Sequence, residues 1–95
     1  MKIEKEPRYL RDVKNLTKRK ILSLRQIEET EKLFSQDPFH KSLRYHKIIC
    51  KKDKFRYSVT IINTSFRILL SNYKDIAYFR SIHNHDQYDR MNKDC

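Results

Sequence analysis

Glycine is absent from this sequence of 95 residues, which contains only two prolines and two cysteines. Turns must therefore rely on Asn, Asp and Ser, as in Asn63-Thr64-Ser65 and in the segment 72–75. A phosphate-binding glycine loop is excluded for the same reason. The cysteines, Cys50 and Cys95, do not have the spacing of metal ligands, so we interpret both as reduced thiols and expect no metal and no cofactor.

Long apolar runs are also missing. No stretch approaches the roughly 20 apolar residues that a membrane-spanning helix needs. The first ten residues carry charges at Lys2, Glu4, Lys5, Glu6 and Arg8, and they lack the apolar core of a signal peptide. We therefore expect a soluble, cytoplasmic protein with no membrane partner. The length fits a single domain spanning residues 1–95.

Positive charge is what the sequence has in excess. Lys and Arg total 22 against 12 acidic residues, which gives a net charge of +10. A small protein with this charge is expected to associate with nucleic acid, with the ribosome or with an acidic protein. Charge alone does not choose among these three partners.

The first 40 residues show helical periodicity. Pro7 suits the first turn of a helix that continues through Val13 and Leu16. Thr17 is a candidate N-cap for a second helix, in which the apolar residues Ile21, Leu24, Ile27 and Phe34 form one stripe. Asp37-Pro38 should end that helix, because the residue before a proline is disfavoured in the helical region. A short edge strand is possible before Pro7, at Lys2–Glu6.

The second half predicts strands at Leu43–Ile49, Lys54–Ile62, Phe66–Ser71 and Ile76–Ile82. Apolar residues alternate with polar ones at 57–61 and 66–70, which is typical of strands with one buried face. Two helices followed by these strands predict an α+β fold, with both N-terminal helices packed on one face of a small antiparallel sheet and the other face open.

The apolar pattern also predicts how the central strands pair. A four-residue loop, Ile62–Ser65, pairs Val59 with Ile68 and Tyr57 with Leu70, and keeps both apolar rows on the same face. A shift of one residue would bury the polar row instead. The predicted register places Arg67 on the open face with Arg56, Ser58 and Thr60, and His46, His85 and Tyr88 are expected nearby.

Several segments resemble, in order, the RelE/ParE superfamily of bacterial toxins, and they are most similar to the RelE- and YafQ-like messenger-RNA interferases. The matching segments are Pro7-Arg8-Tyr9-Leu10, residues 37–48, Phe66-Arg67-Ile68-Leu69, Ile76-Ala77-Tyr78-Phe79 and His85-Asp86-Gln87-Tyr88. The resemblance implies a compact sheet with two N-terminal helices and the cleavage of messenger RNA on the ribosome. It also implies a hetero-oligomer with a co-encoded acidic antitoxin.

The resemblance also suggests a catalytic set. His46 matches the histidine of the family's Leu-x-x-His-Lys-Leu segment, Arg67 the arginine of its Tyr-Arg pair, and His85 and Tyr88 its C-terminal His-x-x-Tyr element. Histidine suits proton transfer because its ordinary pKa, ~6.5, lies near neutral pH. Arginine suits a phosphate because its planar fork donates paired hydrogen bonds.

We therefore expect Arg67 to stabilise transition-state charge. His46 and His85 are expected to act as general base and acid in an unresolved order, and Tyr88 to position the substrate or assist proton transfer. Basic residues close to this set are expected to bind RNA or the ribosome: Lys47, Lys54 and Arg56.

The chain departs from the family's pattern at two places. Ser58 and Thr60 stand where RelE has lysines, and His83-Asn84 replaces a glycine and a small residue, so His83 competes with His85 for the functional role. Two other functions remain open: a ParE-like inhibitor of DNA gyrase that cleaves nothing, and a degenerate toxin that only binds its antitoxin.

Overall fold

The computed structural model describes residues 1–93. The strands are β1 (Lys2–Lys5), β2 (His46–Lys47), β3 (Arg56–Thr60), β4 (Arg67–Tyr73) and β5 (Ile76–His83), and the helices are α1 (Pro7–Lys18), α2 (Leu24–Gln36) and α3 (His85–Lys93). The strands form one sheet in the order β1-β5-β4-β3-β2. β1 is parallel to β5, and the other neighbouring strands are antiparallel.

The α+β class is confirmed, but two details of the prediction are wrong. The described residues contain three helices rather than two, and the sheet is mixed rather than antiparallel. The third helix escaped prediction because it is short and polar, with Tyr88 and Met91 as its apolar contacts to the rest of the chain. A nine-residue helix depends on tertiary packing more than on its own sequence.

The N-terminal helices begin and end at recognisable signals. Pro7 opens α1. Ser23 caps α2 through a capping box, in which its hydroxyl accepts from the Gln26 amide and the Gln26 side chain accepts from the Ser23 amide. The prediction of Thr17 as the cap is wrong, because Thr17 lies inside α1 and its hydroxyl donates to the Val13 carbonyl at 2.7 Å. Asp37 ends α2 as predicted.

One large buried cluster joins these helices to the sheet. Tyr9 of α1 and Phe34 of α2 share it with Val59, Ile68 and Phe79, and all five are 0% exposed. The Tyr9 and Phe34 rings each meet the Phe79 ring edge-on, with centroids 5.4 Å apart. Burying side chains of this size stabilises the fold by ~1.5–3 kcal/mol each.

The predicted register of β3 and β4 is confirmed. Val59 pairs with Ile68 and Tyr57 with Leu70, and the Ile61 amide donates to the Phe66 carbonyl at 3.0 Å. Successive side chains along a strand point to opposite faces of the sheet. Arg67 and its neighbour Ile68 therefore lie on opposite faces.

The face opposite the large cluster is partly covered, whereas the sequence predicted it to be open. Leu69 packs there in a second, smaller cluster with Ile48 and with Tyr88 and Met91 of α3. Ser58 on the same side is 0% exposed. Helix α3 therefore packs against the face of the sheet that carries Arg67.

The turns reflect the absence of glycine. Asn63 lies in the left-handed region with φ 59°, as do Lys74 and Asp75, which form the two-residue turn between β4 and β5. Asparagine and aspartate tolerate this conformation better than most residues. The observed turn is two residues shorter than the predicted turn at 72–75, because β4 continues through Tyr73.

The state of Cys50 differs from the prediction. Cys50 lies between β2 and β3, is buried and is disulfide-bonded, so the expectation that it is a reduced thiol is wrong. Cys95 lies outside the described residues. Spacing along the sequence did not reveal the disulfide, because its formation depends on how close two cysteines are in space. Within residues 1–93, no helix is both long enough and apolar enough to cross a membrane.

Candidate active site

Arg67 is held from two sides. It opens β4 opposite Thr60 of β3 and His83 of β5. Its Nη1 donates to the Thr60 hydroxyl, and its Cζ lies 5.5 Å from the centre of the Tyr88 ring. Its Nε has no hydrogen-bond partner among the described residues. The guanidinium is therefore oriented by a hydroxyl and an aromatic face, and because Nε is buried, a ligand would meet its terminal N–H groups.

His46 is fixed through both ring nitrogens. It lies on β2 opposite Ser58. Its Nδ1 is 2.6 Å from the Arg44 carbonyl oxygen, and its Nε2 is 3.2 Å from the Tyr88 hydroxyl. The imidazole remains exposed to solvent. An exposed ring with a fixed orientation suits proton exchange with a bound substrate.

Tyr88 connects these two residues. Its ring is 8% exposed and packs with Ile48 and Leu69, while its face and its hydroxyl contact Arg67 and His46. The structure therefore brings together three of the four residues predicted as catalytic, from β2, β4 and α3.

His85, the fourth, lies at the start of α3 and is exposed. Its Nε2 is 3.3 Å from a carboxylate oxygen of Asp89, one turn further along the helix. No hydrogen bond between described side chains joins it to His46 or Arg67. His85 does precede Tyr88 by three residues, and this spacing makes them neighbours on the helix surface.

The competing histidine, His83, is buried in β5. Its Nε2 is 2.7 Å from the Ser81 hydroxyl, and the register places it beside Arg67. Burial lowers the pKa of His83, and the charges of Arg8 and Arg56 lower it further against an opposing effect of Asp12. His83 is therefore a neutral, hydrogen-bonded residue of the sheet at neutral pH.

The predicted RNA-binding cations differ in their exposure and in their contacts. Lys47 and Lys54 are exposed. Arg56 is half-buried, and its Nε lies 3.7 Å from a carboxylate oxygen of Asp53. Arg56 is therefore less mobile than the two lysines, whose charges extend into solvent.

Asp53 anchors the segment that carries Arg56. Its carboxylate accepts from the Ser71 hydroxyl at 2.6 Å and from the Phe55 amide at 2.9 Å, and it lies 3.4 Å from Arg80 Nη1. Burial by itself would raise the pKa of Asp53, but these hydrogen bonds and the charges of Arg56 and Arg80 lower it overall. No pattern in the sequence indicates this role.

Solved structures of toxins share this architecture. YafQ from E. coli superposes with a TM-score of 0.71 at 12% identity, covering 90% of this chain and 94% of that chain. The YoeB dimer from Staphylococcus aureus gives 0.68 at 17% identity, with coverage of 90% and 97%. A metal-bound toxin from Helicobacter pylori gives 0.72 at 12% identity, with coverage of 92% and 97%. The chain shares the fold of these proteins.

This confirms the sequence-based resemblance at the level of fold. No protein-family model matches the sequence, and no curated protein is significantly similar to it. YafQ has also been solved in the DinJ-YafQ toxin-antitoxin complex, which matches with a TM-score of 0.71 at 15% identity, covering 90% of this chain and 92% of that chain.

Ser58 and Thr60, the two departures from RelE that the sequence resemblance indicated, have different contacts in the structure. Thr60 accepts a hydrogen bond from Arg67, whereas the buried Ser58 hydroxyl has no hydrogen-bond partner among the described residues. Thr60 was predicted to lie on the same face as Arg67, but it was not among the predicted catalytic or RNA-binding residues. Its pairing with Arg67 follows from the register.

Metal ligands do not cluster in the described part of the chain: no group of three or more His, Cys, Asp or Glu side chains there could hold an ion. His83 and His85, which are close in sequence, face different surroundings, one buried and one exposed. The side chains that meet at this site are the imidazole of His46, the guanidinium of Arg67 and the phenol of Tyr88.

Proposed function

We propose that this protein is the toxin of a type II toxin–antitoxin system and that it cleaves messenger RNA on the ribosome. The contact of His46, Arg67 and Tyr88 on a toxin fold carries the proposal. A basic surface alone would serve many partners. An oriented imidazole and a guanidinium that contact the same tyrosine are the groups that RNA cleavage needs.

Cleavage uses the 2′-hydroxyl of the RNA as the nucleophile. Its oxygen attacks the adjacent phosphorus, and the bond from phosphorus to the 5′-oxygen breaks, which leaves a cyclic phosphate and a free 5′-hydroxyl. Arg67 stabilises the negative charge that gathers on the phosphate oxygens in the transition state. Thr60 and Tyr88 hold the guanidinium in place for this role.

His46 removes the proton from the 2′-hydroxyl. A carbonyl oxygen only accepts hydrogen bonds, so its contact with Nδ1 leaves Nε2 of the neutral ring as the proton acceptor. His85 donates the proton to the leaving 5′-oxygen, and its exposure and its position one turn before Tyr88 support that assignment. Tyr88 positions His46 until the substrate replaces its hydroxyl.

The basic residues bind the RNA backbone and the ribosome. Lys47 and Lys54 supply exposed charges, and Arg56 supplies one held by Asp53. Phosphate contacts of this kind determine affinity rather than sequence preference, and they weaken as salt is raised.

An acidic antitoxin is the expected protein partner. The net charge of +10 favours it, and the similar YafQ is known in a complex with its antitoxin. Co-expression with the neighbouring gene product, followed by purification through a tag on either protein, tests this partnership. Recovery of free protein alone at moderate salt, with both products folded, would count against it.

Controlled expression in growing bacteria tests the function. We expect translation to stop and new 5′ ends to appear within translated messages, as mapped by primer extension. If replication stalls and messages stay intact, the protein is a gyrase inhibitor. If cells grow normally with folded protein present, it is a degenerate antitoxin binder.

A further inference from the structure

Arg44 has an unusual backbone conformation next to His46. It follows the short 3-10 turn Lys41–Leu43, and its φ of 47° and ψ of 41° lie in the left-handed region. Arginine has a side chain that disfavours this region, so the conformation requires support from the surrounding structure. The Arg44 amide donates to the Lys41 carbonyl at 3.3 Å, which closes the turn.

The direction of the Arg44 carbonyl follows from this conformation. The carbonyl oxygen lies 2.6 Å from Nδ1 of His46, two residues further along the chain. In an extended or right-handed helical conformation, the same peptide group would point elsewhere. The hydrogen bond to the imidazole therefore depends on the left-handed geometry at Arg44.

This hydrogen bond determines the tautomer of His46. The carbonyl has no proton to give, so Nδ1 carries the hydrogen and Nε2 of the neutral ring holds a lone pair. The Tyr88 hydroxyl, 3.2 Å from Nε2, then donates to that lone pair. A phenolic hydroxyl can donate or accept, so this second contact is compatible with the tautomer that the carbonyl selects.

We infer that Arg44 is a positioning residue, whose left-handed backbone holds His46 in the Nδ1–H tautomer and leaves Nε2 free to take a proton. Its link to catalysis rests on the proposed function, in which Nε2 receives the proton of the 2′-hydroxyl. The tautomer itself can be measured on the protein without RNA.

Three substitutions distinguish the effect of the backbone conformation at Arg44 from the effect of its side-chain charge. Arg44→Gly, Arg44→Ala and Arg44→Val all remove the guanidinium, but glycine accepts the left-handed region, alanine disfavours it and the β-branched valine opposes it most strongly. If the valine variant does not fold, the alanine variant gives the same test in a milder form.

The decisive measurement is ¹⁵N NMR of the full-length protein with labelled histidine, at about pH 8, where an ordinary imidazole is neutral. Among the four histidines, the signals missing from His46→Gln identify His46. We expect the Nδ1–H tautomer in the wild type and in Arg44→Gly, and a shift toward Nε2–H in Arg44→Ala and more so in Arg44→Val.

Cleavage rates supply the second readout. Relative to Arg44→Gly, we expect Arg44→Val to cleave about tenfold to a hundredfold more slowly, because a misplaced catalytic group costs rate in this range. An Nε2–H tautomer in the wild type overturns the inference, as do equal tautomers and equal rates in the glycine and valine variants. Absence of cleavage in the wild type, with the Nδ1–H tautomer present, contradicts the proposed function instead.

Discussion

The Tyr88 hydroxyl lies 3.2 Å from Nε2 of His46, a contact that spans 42 residues of sequence. It joins α3 to the edge strand β2, so the site is complete only when α3 packs against the sheet. The small cluster of Ile48, Leu69, Tyr88 and Met91 supports that packing. Formation of the site is therefore coupled to the packing of one short helix.

Substitution of Arg67 should affect chemistry more than folding. We expect Arg67→Ala to reduce the rate of RNA cleavage about 100-fold or more, because it removes a donor that stabilises transition-state charge. Arg67→Lys should recover only part of the rate, since a lysine lacks the planar fork. Single-turnover cleavage of a ribosome-bound message measures both.

Arg25→Ala is the matched control for Arg67. Arg25 is an exposed arginine of α2 whose ion pair is with Glu29, one turn away. Its removal lowers the net charge by the same amount and should leave cleavage near the wild-type rate. Equal losses in the two variants would mean that only total charge matters.

Tyr88 makes two contacts that one substitution separates. Tyr88→Phe keeps the buried ring and its contact with Arg67 but removes the hydrogen bond to His46. We expect it to fold with nearly wild-type stability and to cleave roughly tenfold more slowly. This loss is smaller than the roughly 100-fold or greater effect of removing a group that transfers the proton itself. Tyr88→Leu should also lower the urea midpoint. A fully active Tyr88→Phe would contradict the positioning role of the hydroxyl.

His85 and His83 should differ in what their removal affects. His85→Gln keeps much of the size and polarity but no longer titrates, so we expect cleavage to fall while ribosome binding is retained. His83→Gln should leave the chemistry largely intact, because the His83 ring is buried against Ser81. The comparison needs cleavage rates and ribosome co-sedimentation for both variants, and the reverse pattern would assign the role to His83.

The lowered pKa of His83 predicts a pH dependence of stability. Its folded pKa lies below the ordinary 6.5, so the unfolded chain binds a proton first as the pH falls. The stability that comes from neutral His83 is present above about pH 6.5 and is lost as the pH falls from there toward the folded pKa. Urea midpoints should fall in this window more steeply for the wild type than for His83→Gln, and parallel curves would contradict the assignment.

The sequence predicted the parts of the fold that depend on strict alternation. Val59 and Ile68 indicated the strand register, because a slip of one residue would expose them, and Arg67 was placed on the same face as Thr60 on that basis alone. Asp37-Pro38 likewise determined the end of α2. Local rules of this kind can be applied without knowledge of distant contacts.

Features that depend on distant contacts were missed. The role of α3 depends on Tyr88 meeting Leu69 and His46, and no periodic pattern in a nine-residue polar segment reveals this. Asp53 was overlooked because its partners come from β3, β4 and β5. The left-handed backbone of Arg44 could not be predicted from the sequence, because arginine usually avoids that region.

Cleavage by the purified protein in a reconstituted translation reaction is the decisive test of ribosome-dependent RNA cleavage. Defined messages are incubated with ribosomes and with wild-type protein or Arg67→Ala, and the 5′ ends of the products are mapped. We predict cuts within the translated region, at fixed positions relative to the ribosome, that the wild type makes and Arg67→Ala makes at least about 100-fold more slowly. Intact messages with folded wild-type protein bound to ribosomes would contradict the claim.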